Sequence, residues 1–211
     1  MVFRTFDGRD VGDIVEYVAV ALASNPMLTV SVGCDSAPER PATYVVTVMM
    51  YDSVSRKGAH VVYHRQRHDL RPKDVLGRLQ KEYELALRVA ETLDAGLSSR
   101  SSRQDLTDFE RKRYKFHVLR GEGHFSHVAR SDERAVIEAL TLTQEERASQ
   151  YRFVDIHMDY NCMETSPGRG KRNKSNDSYR SWVPYMRGMG YRVFVKPCAF
   201  AASSAADLLL H

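Results

Sequence analysis

Cysteine is scarce in this sequence. Cys34, Cys162 and Cys198 are odd in number and have no paired spacing, so a disulfide framework is not expected and a reducing compartment, the cytoplasm, is. Long apolar runs are missing too. The best candidate for a membrane span, Ile14 to Ala23, is short and carries Glu16. The opening residues, Met-Val-Phe-Arg-Thr-Phe-Asp, lack the charged and apolar regions of a secretory signal. No charge of one sign dominates either, since 31 Lys and Arg stand against 27 Asp and Glu. What remains, with 43% hydrophobic residues in 211, is a chain long enough for one substantial core with an insertion.

The modest positive excess is unevenly spread. Arg56, Lys57, Arg65, Arg67, Arg71, Lys73, Arg78 and Lys81 face only Asp69 and Asp74 in the same stretch. Two further runs hold Arg111, Lys112, Arg113 and Lys115, and Arg169, Lys171, Arg172 and Lys174. Each suits a phosphate backbone and equally suits a solvated surface.

Hydrophobic periodicity orders the elements. Asp10 to Ser24 predicts an amphipathic helix closed by Asn25-Pro26. Leu28 to Asp35 alternates strictly, with Leu28, Val30, Val32 and Cys34 on one face and Thr29, Ser31, Gly33 and Asp35 on the other. Thr43 to Tyr51 predicts a strand covered on both faces, and Ala59 to Arg65 an edge strand reached by a hairpin. A long helix follows, roughly Lys73 to Leu93. Strands are expected at Arg152 to Asp159 and Tyr191 to Val195, with helices from Asn176 or Asp177 to Met189 and from Ala199 to Leu210. Residues 96–150 break this pattern and read as an insertion or subdomain within a single 1–211 domain. The sum is an α/β fold: a mixed five-stranded sheet with helices on both faces, an N-terminal helix and an insertion before the fourth strand. That is the element order of ribonuclease H.

Four acids stand where carboxylates are uncomfortable. Asp35 ends one apolar strand and Asp159 another; Asp207 lies in a small-residue helix. Glu82 shares the apolar arc of the long helix with Val75, Leu79, Ala86, Val89, Ala90 and Leu93, whereas Glu84 and Glu91 point away. Such a carboxylate needs a cation or a donor. An ion pair with Arg78, one turn back, is the plain alternative. Carboxylates gathered together raise one another's pKa, and Mg²⁺ or Mn²⁺ is the usual remedy, with oxygen ligands and phosphoryl chemistry. Asp155, His157 and Asp159 share one strand face, so Asp155 and His157 are expected to support the site. Zinc is disfavoured, because His117, His124 and His127 have neither a Cys partner nor an HExxH pattern. Gly168-Arg-Gly-Lys-Arg lacks Walker spacing, and Asp35-Ser-Ala37 lacks the Asp-x-Glu of proofreading exonucleases.

Val32-Gly-Cys-Asp-Ser36, His157-Met-Asp-Tyr-Asn161 and Gly188-Met-Gly-Tyr-Arg-Val-Phe-Val-Lys-Pro197 occur in that order and lead into Ala199 to Asp207. Together they resemble the YkuK-like family of ribonuclease H-like proteins, across most of 10–95 and 151–211. Cys34 and Ala37 depart from that family's Gly-Thr-Asp-Ser-Gln, and Cys198 stands where an acid is more usual. The resemblance implies a nuclease-type set in which Asp35, Glu82, Asp159 and Asp207 are both catalytic and metal-binding. On this reading Asp35 bridges two ions, Glu82 and Asp159 complete one shell and Asp207 the other. Ser36, Asp155, His157 and His211 would support them, while Lys171, Arg172, Lys174 and Lys196 hold the nucleic-acid backbone and Tyr160 stacks on a sugar or base. The alternative is a catalytically silent module that binds RNA or DNA, or recruits a protein partner through 96–150.

Overall fold

β-Branched and aromatic residues make three long strands: β2 (Leu28–Ala37), β3 (Ala42–Asp52) and β4 (Ala59–His68). They form an antiparallel meander in which Val32 faces Val48 and Val48 faces Val62. β5 (Asp155–Met158) lies parallel to β2, and β6 (Val193–Phe194) parallel to β5. A sixth strand absent from the sequence-based expectation, β1 (Arg4–Thr5), pairs with Tyr63 and Val62 and covers part of the β4 edge. The sheet order is β1-β4-β3-β2-β5-β6. The computed structural model describes residues 1–25, 28–39, 41–52, 58–68, 75–98, 152–160, 174–196, 199 and 201–210.

The helices follow their sequence signals with shifted ends. α1 (Ile14–Ser24) starts later than Asp10 because Asp13 caps it, its carboxylate accepting from the N–H groups of Val15 and Glu16 at 2.8 and 3.0 Å. α2 runs Val75–Ser98, and α3 runs Lys174–Gly188 with Pro184 inside it. Gly190, at φ 89°, takes the left-handed conformation beyond α3, and Tyr191 N–H then returns to Met186 C=O. The last helix is the largest departure. Ala201–Ala206 winds as a π-helix, and only Asp207–Leu210, here α4, is α-helical. The 96–150 insertion falls outside the described residues beyond Ser98.

The sheet has two unlike faces. On one, Val30, Val32 and Cys34 join Val46, Val48, Met50, Val62, Ile156 and Met158 beneath α1, α2 and α3. On the other, a small cluster of Met49, Val61 and Ala201 is flanked by buried Thr29, Ser31, Thr47, Asp155 and His157. The C-terminal π-helix packs against this polar side. Helices on both faces are therefore observed, in very unequal measure.

Candidate functional site

Three adjacent strands seize the start of the C-terminal segment. In the sheet register Gly33 lies between Thr47 and His157. The Thr47 hydroxyl donates to Ala201 C=O at 2.6 Å, and Ala201 N–H donates to His157 Nδ1 at 3.1 Å. Accepting at Nδ1 leaves the proton of the neutral imidazole on Nε2. Phe194 meets the same ring edge-on. A Cβ on Gly33 would lie 2.4 Å from Ala202 N and 2.5 Å from Ala201 C, so only glycine admits this backbone. Asp207 follows at the end of the π-helical stretch, a device that frequently marks functional sites.

The acids lie around the C-terminal ends of β2 and β5. Asp35 is on the polar face, two residues beyond Gly33, and Asp159 is two residues beyond His157. Burial pushes the Asp35 carboxyl up to about 6; the charges of Asp159 and Asp207 add to this, while Ser36 N–H, at 2.8 Å, and Lys196 oppose it. Glu82 arrives from α2, on the opposite face. Burial drives its carboxyl up to about 8, with Asp35 and Asp159 adding to the rise. Ser36 and Arg78 act against it. The Ser36 hydroxyl donates to Glu82 Oε1 at 2.5 Å, linking strand end to helix. Arg78 itself donates to Ser36 C=O at 3.5 Å. Asp35 thus feels the charges of Asp159 and Asp207, and Glu82 those of Asp35 and Asp159.

The supporting residues divide. Asp155 is fully buried and paired with Arg192 at 2.7 Å, so it ties β5 to the approach of β6. His157 is buried and holds Ala201. Lys196 is paired with Asp159 at 2.7 Å; the ammonium expected on a phosphate is here on an acid of the site. Tyr160 corrects another expectation. It is fully buried, and its hydroxyl donates to Leu79 C=O at 2.9 Å, so its ring belongs to the core and offers no stacking surface. Lys174 opens α3. Lys171, Arg172 and His211 lie outside the described residues. On α2, Glu84 meets Lys81 at 3.2 Å and Gln80 at 3.1 Å.

Several contributors escaped the sequence reading. Thr47, Arg192 and Asp94 are the chief ones, the last accepting Phe153 N–H at 2.8 Å from the buried side of α2. Only Asp94 carried a signal, an acid placed one helical turn from apolar Ala90. Could the acids hold a divalent ion? Glu82 Oε2 and Asp159 Oδ1 are buried without a hydrogen-bond partner, and the donor set is all oxygen, which fits Mg²⁺ or Mn²⁺. Among the described residues, however, no three such side chains are gathered closely enough to hold an ion as they stand.

A meander followed by parallel strands, with acids at the ends of β2 and β5 and on the next helix, defines a ribonuclease H-like class of fold. The family whose description is "Ribonuclease H-like" matches residues 11–118, and the chain belongs to it. No curated protein and no solved structure matches the chain significantly.

Proposed function

We propose that this chain is a divalent-metal-dependent phosphodiesterase acting on nucleic acid, and within its family a YkuK-like member working in the cytoplasm. The observation that carries the reading is Glu82. A carboxylate buried in the main core, fixed by Ser36 at one oxygen and unpartnered at the other, is costly without a function. Its charge is coupled to Asp35 and Asp159. No described helix is long and apolar enough to cross a membrane.

A bound Mg²⁺ or Mn²⁺ would supply an activated water and positive charge for the leaving 3′-oxygen. The chain's own residues do the rest. Asp35, Glu82, Asp159 and Asp207 would hold the metal. Ser36 orients Glu82; Gly33, Thr47 and His157 fix the segment that presents Asp207. Lys171, Arg172 and Lys174 are the phosphate contacts in this scheme. Incubation with Mg²⁺ or Mn²⁺ and a panel of single strands, duplexes, hybrids and junctions should yield cleavage of at least one. Asp35→Asn, folded normally, should lose it; equal cleavage by that variant overturns the assignment.

One observation favours the silent module instead. Lys196 already compensates Asp159, and the described acids are not closed around an ion. On that reading the protein grips RNA or DNA, or a protein partner through 96–150, and no substrate in the panel is cut.

A further inference from the structure

The seam between α2 and α3 is aromatic out to the solvent. The Tyr83 and Trp182 rings stack with centroids 4.5 Å apart and planes 17° from parallel, and Tyr185 meets Tyr83 edge-on at 6.4 Å. Tyr83 is buried and Trp182 partly buried, but Tyr185 is 55% exposed. At about 100° per residue, Leu76 and Leu87 share the Tyr83 side of α2. Leu76 is 52% exposed and Leu87 partly buried.

The border of this strip is acidic. Glu84 and Glu91 lie next to it round the helix, on the solvent side, and the cations Lys81 and Arg88 project farther away. Both acids reach the Tyr83 hydroxyl: burial raises it to about 12, with Tyr185, Glu91 and Glu84 adding to the rise. Glu84 is held by Lys81, whereas exposed Glu91 makes no ion pair among the described residues. Aromatic faces beside an uncompensated carboxylate favour a cation. A guanidinium suits them best, because it stacks on a ring while its stem covers apolar surface. The same acids repel a nucleic-acid backbone, and a two-fold pairing of copies through this seam would set like charges against each other.

We propose that the α2–α3 seam docks an arginine-bearing basic segment of a partner protein, with a guanidinium against Tyr185 and Trp182 and its charge toward Glu91. The surface consists of α2 and α3 side chains alone, so the inference stands apart from the metal-dependent reading of the strand-end acids.

Trp182, the chain's only tryptophan, reports on the seam directly. The full chain is titrated with a synthetic peptide alternating arginine and alanine, followed by Trp182 fluorescence and by calorimetry. Saturable binding is expected, about tenfold weaker in Tyr185→Ala and in Glu91→Gln and unchanged in Glu16→Gln on α1. The lysine counterpart of the peptide should bind more weakly than the arginine one. No saturable binding, or equal affinity in the native chain, Tyr185→Ala and Glu91→Gln, would overturn the inference. So would a single-stranded oligonucleotide that shifts Trp182 emission where the peptide does not, or a dimer in sedimentation that Tyr185→Ala splits; these give the surface to nucleic acid or to a second copy. Both Tyr185 and Glu91 are exposed, and thermal melts of each variant confirm the fold before titration.

Discussion

The two faces of the sheet are built on opposite principles. Beneath α1, α2 and α3 the packing is apolar and redundant, with Val18, Val32, Val48, Leu93 and Ile156 among many fully buried side chains. Beneath the C-terminal segment it is sparse and polar. There a glycine gap, one hydroxyl and one imidazole hold a single residue, Ala201, in place. The first face supplies stability through area removed from water, which is insensitive to detail. The second supplies position through directed bonds, which tolerates little change. The acids sit where the two meet, Glu82 coming from the apolar side and Asp207 from the polar one.

Breaking the two faces separately should give different failures. Leu93→Ala leaves a cavity in the main core and is expected to cost about 2–5 kcal/mol in urea unfolding. Its response to Mn²⁺ should be unchanged. Gly33→Ala drives a methyl into the backbone of Ala201 and Ala202 and should cost less, about 1–3 kcal/mol. Yet this smaller loss should weaken the Mn²⁺ response, because Asp207 is displaced. Equal Mn²⁺ responses in the two variants would remove the distinction drawn between the faces.

A finer test lies in pH. The ordinary values are 4.5 for Glu82 and 3.8 for Asp35, and the folded protein raises them to about 8 and about 6. Between those limits the folded chain retains protons that the unfolded chain has released. Metal-free stability is therefore greatest in mild acid and declines as pH rises through about 6 and then about 8. Glu82→Gln should flatten most of this slope and stabilise the metal-free protein at pH 8, on the order of 2 kcal/mol. A thermal melt series from pH 5 to roughly pH 9 with and without the variant decides it; parallel curves would contradict the assignment.

Much of this was legible in the sequence, and for identifiable reasons. Strict alternation from Leu28 to Asp35 divided β2 into the two faces observed, and helical periodicity set Glu82 on the core side while sending Glu84 outward. Local patterns of that kind need no knowledge of distant residues. The pairs Asp155–Arg192 and Lys196–Asp159 join separate strands, and nothing in local spacing announces them. Thr47 looked like one more β-branched strand residue, because its partner Ala201 lies far along the chain. The π-helical winding of Ala201–Ala206 has no periodic signature in a run of alanine and serine. Tyr160 is different. It shares strand parity with Met158, so the same alternation pointed it to the core, and the adjacent Asp159 and Asn161 drew it instead toward a binding loop.

The proposed acid site is open to direct observation. Crystals of the native protein soaked in Mn²⁺ and measured at the manganese absorption edge should show an anomalous peak in contact with the carboxylates of Asp35 and Glu82. A map with no peak at these acids, in a crystal whose Mn²⁺ concentration saturates binding in solution, would contradict the account.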